Sequence, residues 1–250
     1  MKIKKMIAGV LTLGLALFLA GCGSIVGSVA TVSGNGVIAD TDIPLDGNFD
    51  RIVSMGSFDV ILSNEPSDSL LFQVDENVLP HIELDVSISG TTLYIATRNV
   101  NNQGISPTVF QFHVGVADLV AVSVTGSGSV RGEGVRQADG FEASVTGSGD
   151  VRLAVDAVND IDAIIGGSGE IVLSGTASHV NITVTGSGTA DIRAVHAPTA
   201  EARVTGSGEA IVYAAESLTA TVSGSGDIIY HGDPVDVTRS VTGSGSIRRG

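Results

Sequence analysis

The triplet Gly-Ser-Gly occurs seven times in the second half of this chain, with its first glycine at 126, 147, 167, 186, 206, 224 and 243. The spacings are 21, 20, 19, 20, 18 and 19 residues. A near-constant period of this size marks a stacked repeat architecture, in which one unit cannot bury its apolar face without its neighbours. Five copies read Val-Thr-Gly-Ser-Gly, beginning at Val124, Val145, Val184, Val204 and Val241. The other two run from Ile165 to Gly169 and from Val222 to Gly226.

The flanking residues alternate. Two before the first glycine stands Val or Ile in every copy. Four before it stand Val122, Ala143, Ala163, Ile182, Ala202 and Ala220, until Arg239 breaks the column. After the triplet comes a polar residue and then an apolar one: Val130, Val151, Ile171, Ala190, Ala210, Ile228 and Ile247. A period of two predicts strands with one buried face, and the triplet between them reads as a turn. The expected fold is therefore all-β: a single-stranded parallel β-helix, or solenoid, with coils of about twenty residues turning at Gly-Ser-Gly. The structural turn residues are Gly126 and Gly128, Gly147 and Gly149, Gly167 and Gly169, Gly186 and Gly188, Gly206 and Gly208, Gly224 and Gly226, and Gly243 and Gly245. Glycine suits a stacked corner because it permits positive φ and adds no side chain. At ~4.8 Å between stacked strands, seven coils span roughly 34 Å. The rival is a sandwich or barrel of hairpins, but hairpins rarely keep one turn at so regular a period.

The N-terminus reads as an address. Lys2, Lys4 and Lys5 precede a charge-free stretch from Met6 to Ala20, short for a membrane span and suited to a signal peptide. It ends in Leu19-Ala20-Gly21-Cys22, a match to the bacterial lipobox, and Cys22 is the chain's only cysteine. Residues 1–21 are expected to be a lipoprotein signal peptide, with the Cys22 thiol taking the lipid that holds the protein to a membrane. Residues 22–36, small and rich in Gly and Ser, are expected to form a flexible tether. The expected location is the bacterial cell envelope. In a Gram-negative organism it is the outer membrane, by the sorting rule that Gly23 satisfies, facing either the periplasm or the outside.

Charge and chemistry exclude several functions. Loss of the three N-terminal lysines takes the formal charge from −14 to −17. So acidic a chain is no nucleic-acid binder, because phosphate contacts need a basic surface. The five histidines, at 81, 113, 179, 196 and 231, are scattered without metal-ligand spacing, and no nucleophile elbow or phosphate loop is present. No catalytic residue, metal site or cofactor is expected. The residue after each triplet forms a column of Ser129, Asp150, Glu170, Thr189, Glu209, Asp227 and Ser246. It could be a weak divalent-cation surface, but a solvated face is the preferred reading. Thr125, Thr146, Thr185, Thr205 and Thr242 suggest an ice-binding ladder, which Gly166 and Ser223 interrupt. In the last coil, Arg239, Arg248, Arg249 and Pro234 are expected to blunt an open strand edge. Alternatively they dock an acidic coil of another copy.

Residues 37–120 lack the repeat but read as β, and are expected to start and cap the solenoid; residues 121–250 hold the seven repeats. Phe49–Leu62 predicts two short strands around Gly56-Ser57, Leu70–Val74 another, Asp75–His81 one helical turn, and Ile82–Ala96 a hairpin across Ser89-Gly90-Thr91. Six of the seven phenylalanines lie within the first 112 residues, which predicts a bulkier core there.

The stretches FDRIVSMGSFDVILS, DENVLPHIELDV and GTTLYI, followed by the serial VTGSG turns, resemble the head GIN-domain family of adhesin-like bacterial proteins. The resemblance spans about residues 37–250 and implies a secreted or lipid-anchored β-solenoid, with no ligand and no catalytic residue to carry over. The expected function is a non-enzymatic, lipid-anchored scaffold for adhesion or interaction, contacting the membrane through its lipid and an unidentified protein or glycan. Its oligomeric state is open. The alternatives are a periplasmic sensor or assembly factor with a protein partner, and a β-helix enzyme acting on surface polysaccharide.

Overall fold

A computed structural model describes residues 31–100 and 103–250 of the chain. The signal peptide, the lipobox residues Leu19, Ala20 and Gly21, Cys22 and most of the tether lie outside the described residues.

Each repeat contributes two strands, one to each of two packed sheets. In chain order the pairs are β10 (Ala121–Gly126) and β11 (Ser129–Ala138), then β12 (Phe141–Gly147) and β13 (Asp150–Ala157), then β14 (Asp160–Gly167) and β15 (Glu170–Thr176). They continue as β16 (His179–Gly186) and β17 (Thr189–His196), β18 (Thr199–Gly206) and β19 (Glu209–Tyr213), β20 (Ser217–Gly224) and β21 (Asp227–His231), and β22 (Asp236–Gly243) and β23 (Ser246–Arg249). Even-numbered strands stack in one sheet and odd-numbered strands in the other, all parallel. The fold is thus an all-β solenoid whose coils turn at Gly-Ser-Gly.

Stacked backbone explains both glycines of the triplet. A Cβ on Gly147, which has φ +120°, would sit 2.5 Å from the Gly126 carbonyl oxygen of the preceding coil. A Cβ on Gly149 would sit equally close to the Gly128 carbonyl oxygen. The same carbonyls accept a ladder of N–H groups along the corner: Ser148 to Gly126 at 2.9 Å, Ser168 to Gly147 at 2.8 Å, Ser187 to Gly167 at 2.8 Å and Ser207 to Gly186 at 2.8 Å. A side chain at either glycine would push successive coils apart and break that ladder.

The core is a set of columns of small and branched side chains. Val124, Val145, Ile165, Val184, Val204 and Val222 are register partners in consecutive coils and are fully buried. The parallel column of Val122, Ala143, Ala163, Ile182, Ala202 and Ala220 is buried as well. The alternation in the sequence therefore marks the inward face.

The N-terminal region extends the same sheets in a different chain order. Its strands are β1 (Thr31–Ser33), β2 (Ile38–Pro44), β3 (Arg51–Gly56), β4 (Asp59–Ser63), β5 (Ser69–Asp75), β6 (Ile82–Ser89), β7 (Thr92–Asn99), β8 (Gly104–Ser106) and β9 (Phe110–Gly115). Strands β3 and β4 form a further coil stacked on β10 and β11, with Gly56 aligned on Gly126. On their other side lie β7 and β9, which come later in the chain. Beyond these the parallel pattern stops: β6 pairs antiparallel with β7 through a turn at Gly90 (φ +62°), and β2, β5 and β9 pair antiparallel. The short 3₁₀ turn Leu79–His81 lies within the segment predicted helical. Strand β1 pairs with β8, so ordered structure begins inside the residues assigned from sequence to the tether. Pairing of its backbone with Gly104–Ser106 overrides the flexibility expected of a small-residue segment.

Candidate functional site

The solenoid presents long surfaces whose repeats carry no long loops, only bulges in the second sheet. On the first sheet, Thr125, Thr146, Gly166, Thr185, Thr205, Ser223 and Thr242 stand in one register column. The next outward column is Ser123, Ser144, Ile164, Thr183, Arg203, Thr221 and Ser240. The face is rich in hydroxyls, but Glu142, Asp162, Glu201, Arg203 and Ile164 interrupt it. This mixed chemistry suits a partner with its own polar groups better than the uniform lattice of ice.

The residues after the triplets also align, in the second sheet, and the column begins one coil earlier at Asp59. Acids become direct neighbours only at Asp150–Glu170 and Glu209–Asp227. Several acids of the column have local partners. The Ser129 hydroxyl donates to Asp59 at 2.5 Å, Arg152 pairs with Glu170, and Ser246 donates to Asp227 through its N–H at 2.9 Å and its hydroxyl at 2.7 Å. Among the described residues no group of three or more His, Cys, Asp or Glu converges on a metal position. The column is a half-buried stripe in which Glu170 is ion-paired and Asp59 and Asp227 are hydrogen-bonded.

The histidines are engaged separately. His113 Nε2 lies 3.0 Å from Gln73 Oε1, while His179 bridges Thr199 at 2.6 Å and Asn181 at 2.9 Å. His196 packs edge-on against Tyr213. His231 Nε2 is buried without a partner, and nearby Asp233 pairs with Arg249 at 3.1 Å instead. Among the described residues no histidine is hydrogen-bonded to both a hydroxyl and a carboxylate.

Two buried charged residues escape a reading of the sequence. Asp75, at the end of β5, is fully buried. Its carboxylate accepts from Gly36 N–H at 2.7 Å, the Thr108 hydroxyl at 2.7 Å, Thr108 N–H at 2.6 Å and Val109 N–H at 3.3 Å. Burial pushes its pKa up, but these donors outweigh it and lower the value from 3.8 to about 2. Asp75 thus clasps the entry to β2 against the entry to β9. Arg136 follows a bulge in β11, where the register slips between Arg131 and Val135 and Gly134 takes φ +76°. The bulge turns Val135 outward and Arg136 into the core, where Nη1 donates to the Val116 carbonyl at 2.9 Å. Burial pushes its pKa down, and Nε and Nη2 have no partner. The sequence signal for this bulge is the 21-residue first spacing, the longest of the series.

A cavity of about 930 Å³ opens where the corner stack ends. Phe58 occupies the position of the second glycine in the β3–β4 coil. The chain between β7 and β9 does not repeat the tight corner, so the ring has room to pack on Phe110 and Phe112, at centroid distances of 5.8 and 4.8 Å. Ser57, Asp59, Arg98, Asn99 and Gln103 also line the cavity. With Phe58, Ile105, Pro107 and Phe110 they make a groove of mixed polar and apolar lining.

A family model described as "Putative auto-transporter adhesin, head GIN domain" matches residues 48–234. Solved structures share the fold. A "putative adhesin" from Bacteroides fragilis has a TM-score of 0.78 at 21% identity, over 87% of this chain and 99% of that one. A "putative adhesin" from Parabacteroides merdae has a TM-score of 0.65 at 24% identity, over 88% and 99%. A "putative lipid binding protein" from Parabacteroides distasonis has a TM-score of 0.66 at 29% identity, again over 88% and 99%. No curated protein matches the chain.

Proposed function

The chain belongs to the head GIN-domain family, and from that premise we propose a non-enzymatic, lipid-anchored protein of the bacterial cell envelope that works by adhesion. The observation that carries this reading is the pair of long sheet surfaces, mostly polar and, on the first sheet, in register from coil to coil, on a scaffold whose described His, Cys, Asp and Glu residues form no metal-binding cluster. Such a surface offers many weak polar contacts to a protein or glycan, and its affinity comes from area and multiplicity. The lipobox ending at Cys22 supplies the anchor in this reading. A lipid-binding role, suggested by the Parabacteroides distasonis relative, fits less well, because Asp59, Arg98, Asn99 and Gln103 share the lining of the groove at the end of the corner stack with its apolar residues.

Protease treatment of intact cells tests the proposal, beside cells carrying Cys22→Ala. Adhesion requires that the wild-type protein be shaved from whole cells and that the variant lose membrane association. Protection until the outer membrane is opened would replace adhesion with a periplasmic assembly or sensing role.

A further inference from the structure

The two ends of the solenoid carry opposite charge. The outermost strands are β22 and β23 at one end, and β6 and β2 at the other. Among the described residues nothing pairs with the outer edges of these four strands, which leaves rows of N–H and C=O groups unmatched. Strands β2 and β6 contain Asp40, Asp42, Glu83 and Asp85 and no lysine or arginine. Strands β22 and β23 contain Arg239, Arg248 and Arg249 against one acid, Asp236. Arg249 is engaged by Asp233, Glu83 by Arg98 and Asp40 by Gln73, but Arg248, Asp42 and Asp85 have no hydrogen-bonded or ion-pair partner among the described residues.

Both ends also leave apolar side chains partly open. Val241 is 45% exposed although its column is closed in the preceding coils, and Val237 and Ile247 are only partly buried. At the other end Leu84, Val86, Ile88 and Ile43 are in the same condition. Arg239 covers part of its end by lying over the Tyr230 ring, 4.9 Å from the centroid.

We propose that the C-terminal end of one molecule stacks on the N-terminal end of a second copy, continuing both sheets. Strands β22 and β6 are both eight residues long and run in opposite senses, since β6 is antiparallel to β7. Full antiparallel overlap sets Val237 opposite Ile88 and Val241 opposite Leu84, inward side against inward side, with Ser240 opposite Asp85. Strand β2 runs in the same sense as β23, being antiparallel to β5, which is itself antiparallel to β9. A parallel joint there brings Arg248 onto the face that holds Asp40 and Asp42. Pairing two C-terminal ends instead would set arginines against arginines, which is unfavourable across strands. A head-to-tail contact is heterologous and grows into open filaments. With ten strands in the first sheet at ~4.8 Å each, the axial repeat is about 50 Å.

Sedimentation velocity of the full chain tests this over a range of concentrations, at low salt and at 1 M salt. The expected result is open-ended association at low salt that dissolves at high salt, where charges are screened beyond about 3 Å. Electron microscopy should show filaments with the ~50 Å repeat. Arg248→Glu with Arg249→Glu should abolish association, and so should Asp42→Lys with Asp85→Lys. The second variant leaves Arg239 on Tyr230 and replaces residues with no partner, so its loss of association would not reflect a loosened last coil. Mixing the two variants should restore association. Monomers at every concentration, a closed dimer indifferent to these reversals, or stronger association once the arginines are neutralised would overturn the proposal. The last outcome would make the arginines a device that blunts the edge.

Discussion

Residues 121–250 and residues 31–120 build the same two sheets by different means. In the repeats, chain order is spatial order, so each coil rests on the one made just before it. In the N-terminal region, β3 and β4 lie between β7–β9 and β10–β11, so a coil made early is covered by segments made later on one side and still later on the other. The repeats fill their interior with Val, Ala, Ile and Leu, and seal their corners with glycine. The N-terminal region uses a cluster of Phe58, Phe72, Phe110 and Phe112 and the buried Asp75. Stability in a nearest-neighbour stack is spread over many similar interfaces. Where chain order is broken, a few large contacts must hold non-local segments together. Single substitutions should therefore cost most at the N-terminal end.

Phe112→Ala should have the largest effect. Its ring stacks on Phe72 at 4.6 Å and is fully buried, so truncation is expected to cost about 3–5 kcal/mol in denaturant unfolding. Gly206→Ala should cost less, about 1–3 kcal/mol, because the new Cβ would meet the Gly186 carbonyl at φ +119° but the strain stays within neighbouring coils. A cost equal to that of Phe112→Ala would remove the contrast between the regions. The acid response sharpens it. Asp75 titrates lower in the folded chain than its ordinary value of 3.8, so its stabilisation is present above about pH 4 and is lost as pH falls towards 2. Thermal unfolding of Asp75→Asn should start lower at pH 7 and lack this part of the acid loss. The smallest effect is a gain. Gly166 stands between Thr146 and Thr185, and a Cβ added there would meet nothing within 4 Å, so Gly166→Thr should stabilise by about 0.5–1 kcal/mol. Two adjacent glycines, 166 and 167, then answer substitution with opposite signs.

The repeat region is legible in the sequence because each structural constraint recurs there. The glycine pairs report stacked carbonyls, and the alternation from Val122 to Val130 reports the inward face. Strands β3 and β4 are also visible around Gly56-Ser57, but their place in the stack is not. Phe58 replaces the second glycine, and pairing of β3 with β10 joins residues seventy positions apart. Asp75 leaves no pattern and Arg136 only the long first spacing, because their burial depends on backbone groups at Gly36, Thr108 and Val116 that only the fold brings together. Of the functional surface, the acidic and threonine columns are readable. The hydrogen bonds from Ser129 and Ser246 and the ion pair of Arg152 need the register between coils. The anchor at Cys22 rests on the sequence alone.

The central claim is that both regions form one stack carrying one continuous surface, with β3–β4 as an internal coil. Native-state hydrogen exchange tests this most directly, because it resolves the opening free energy of each strand. One stack predicts that amides at Ile52, Val60 and Leu62 exchange only through the same large opening as those of β10 to β13, with protection falling towards the terminal coil β22–β23. If β3–β4 opened separately, at lower free energy than the repeats beside it, the two regions would be distinct units and the continuous surface would be lost.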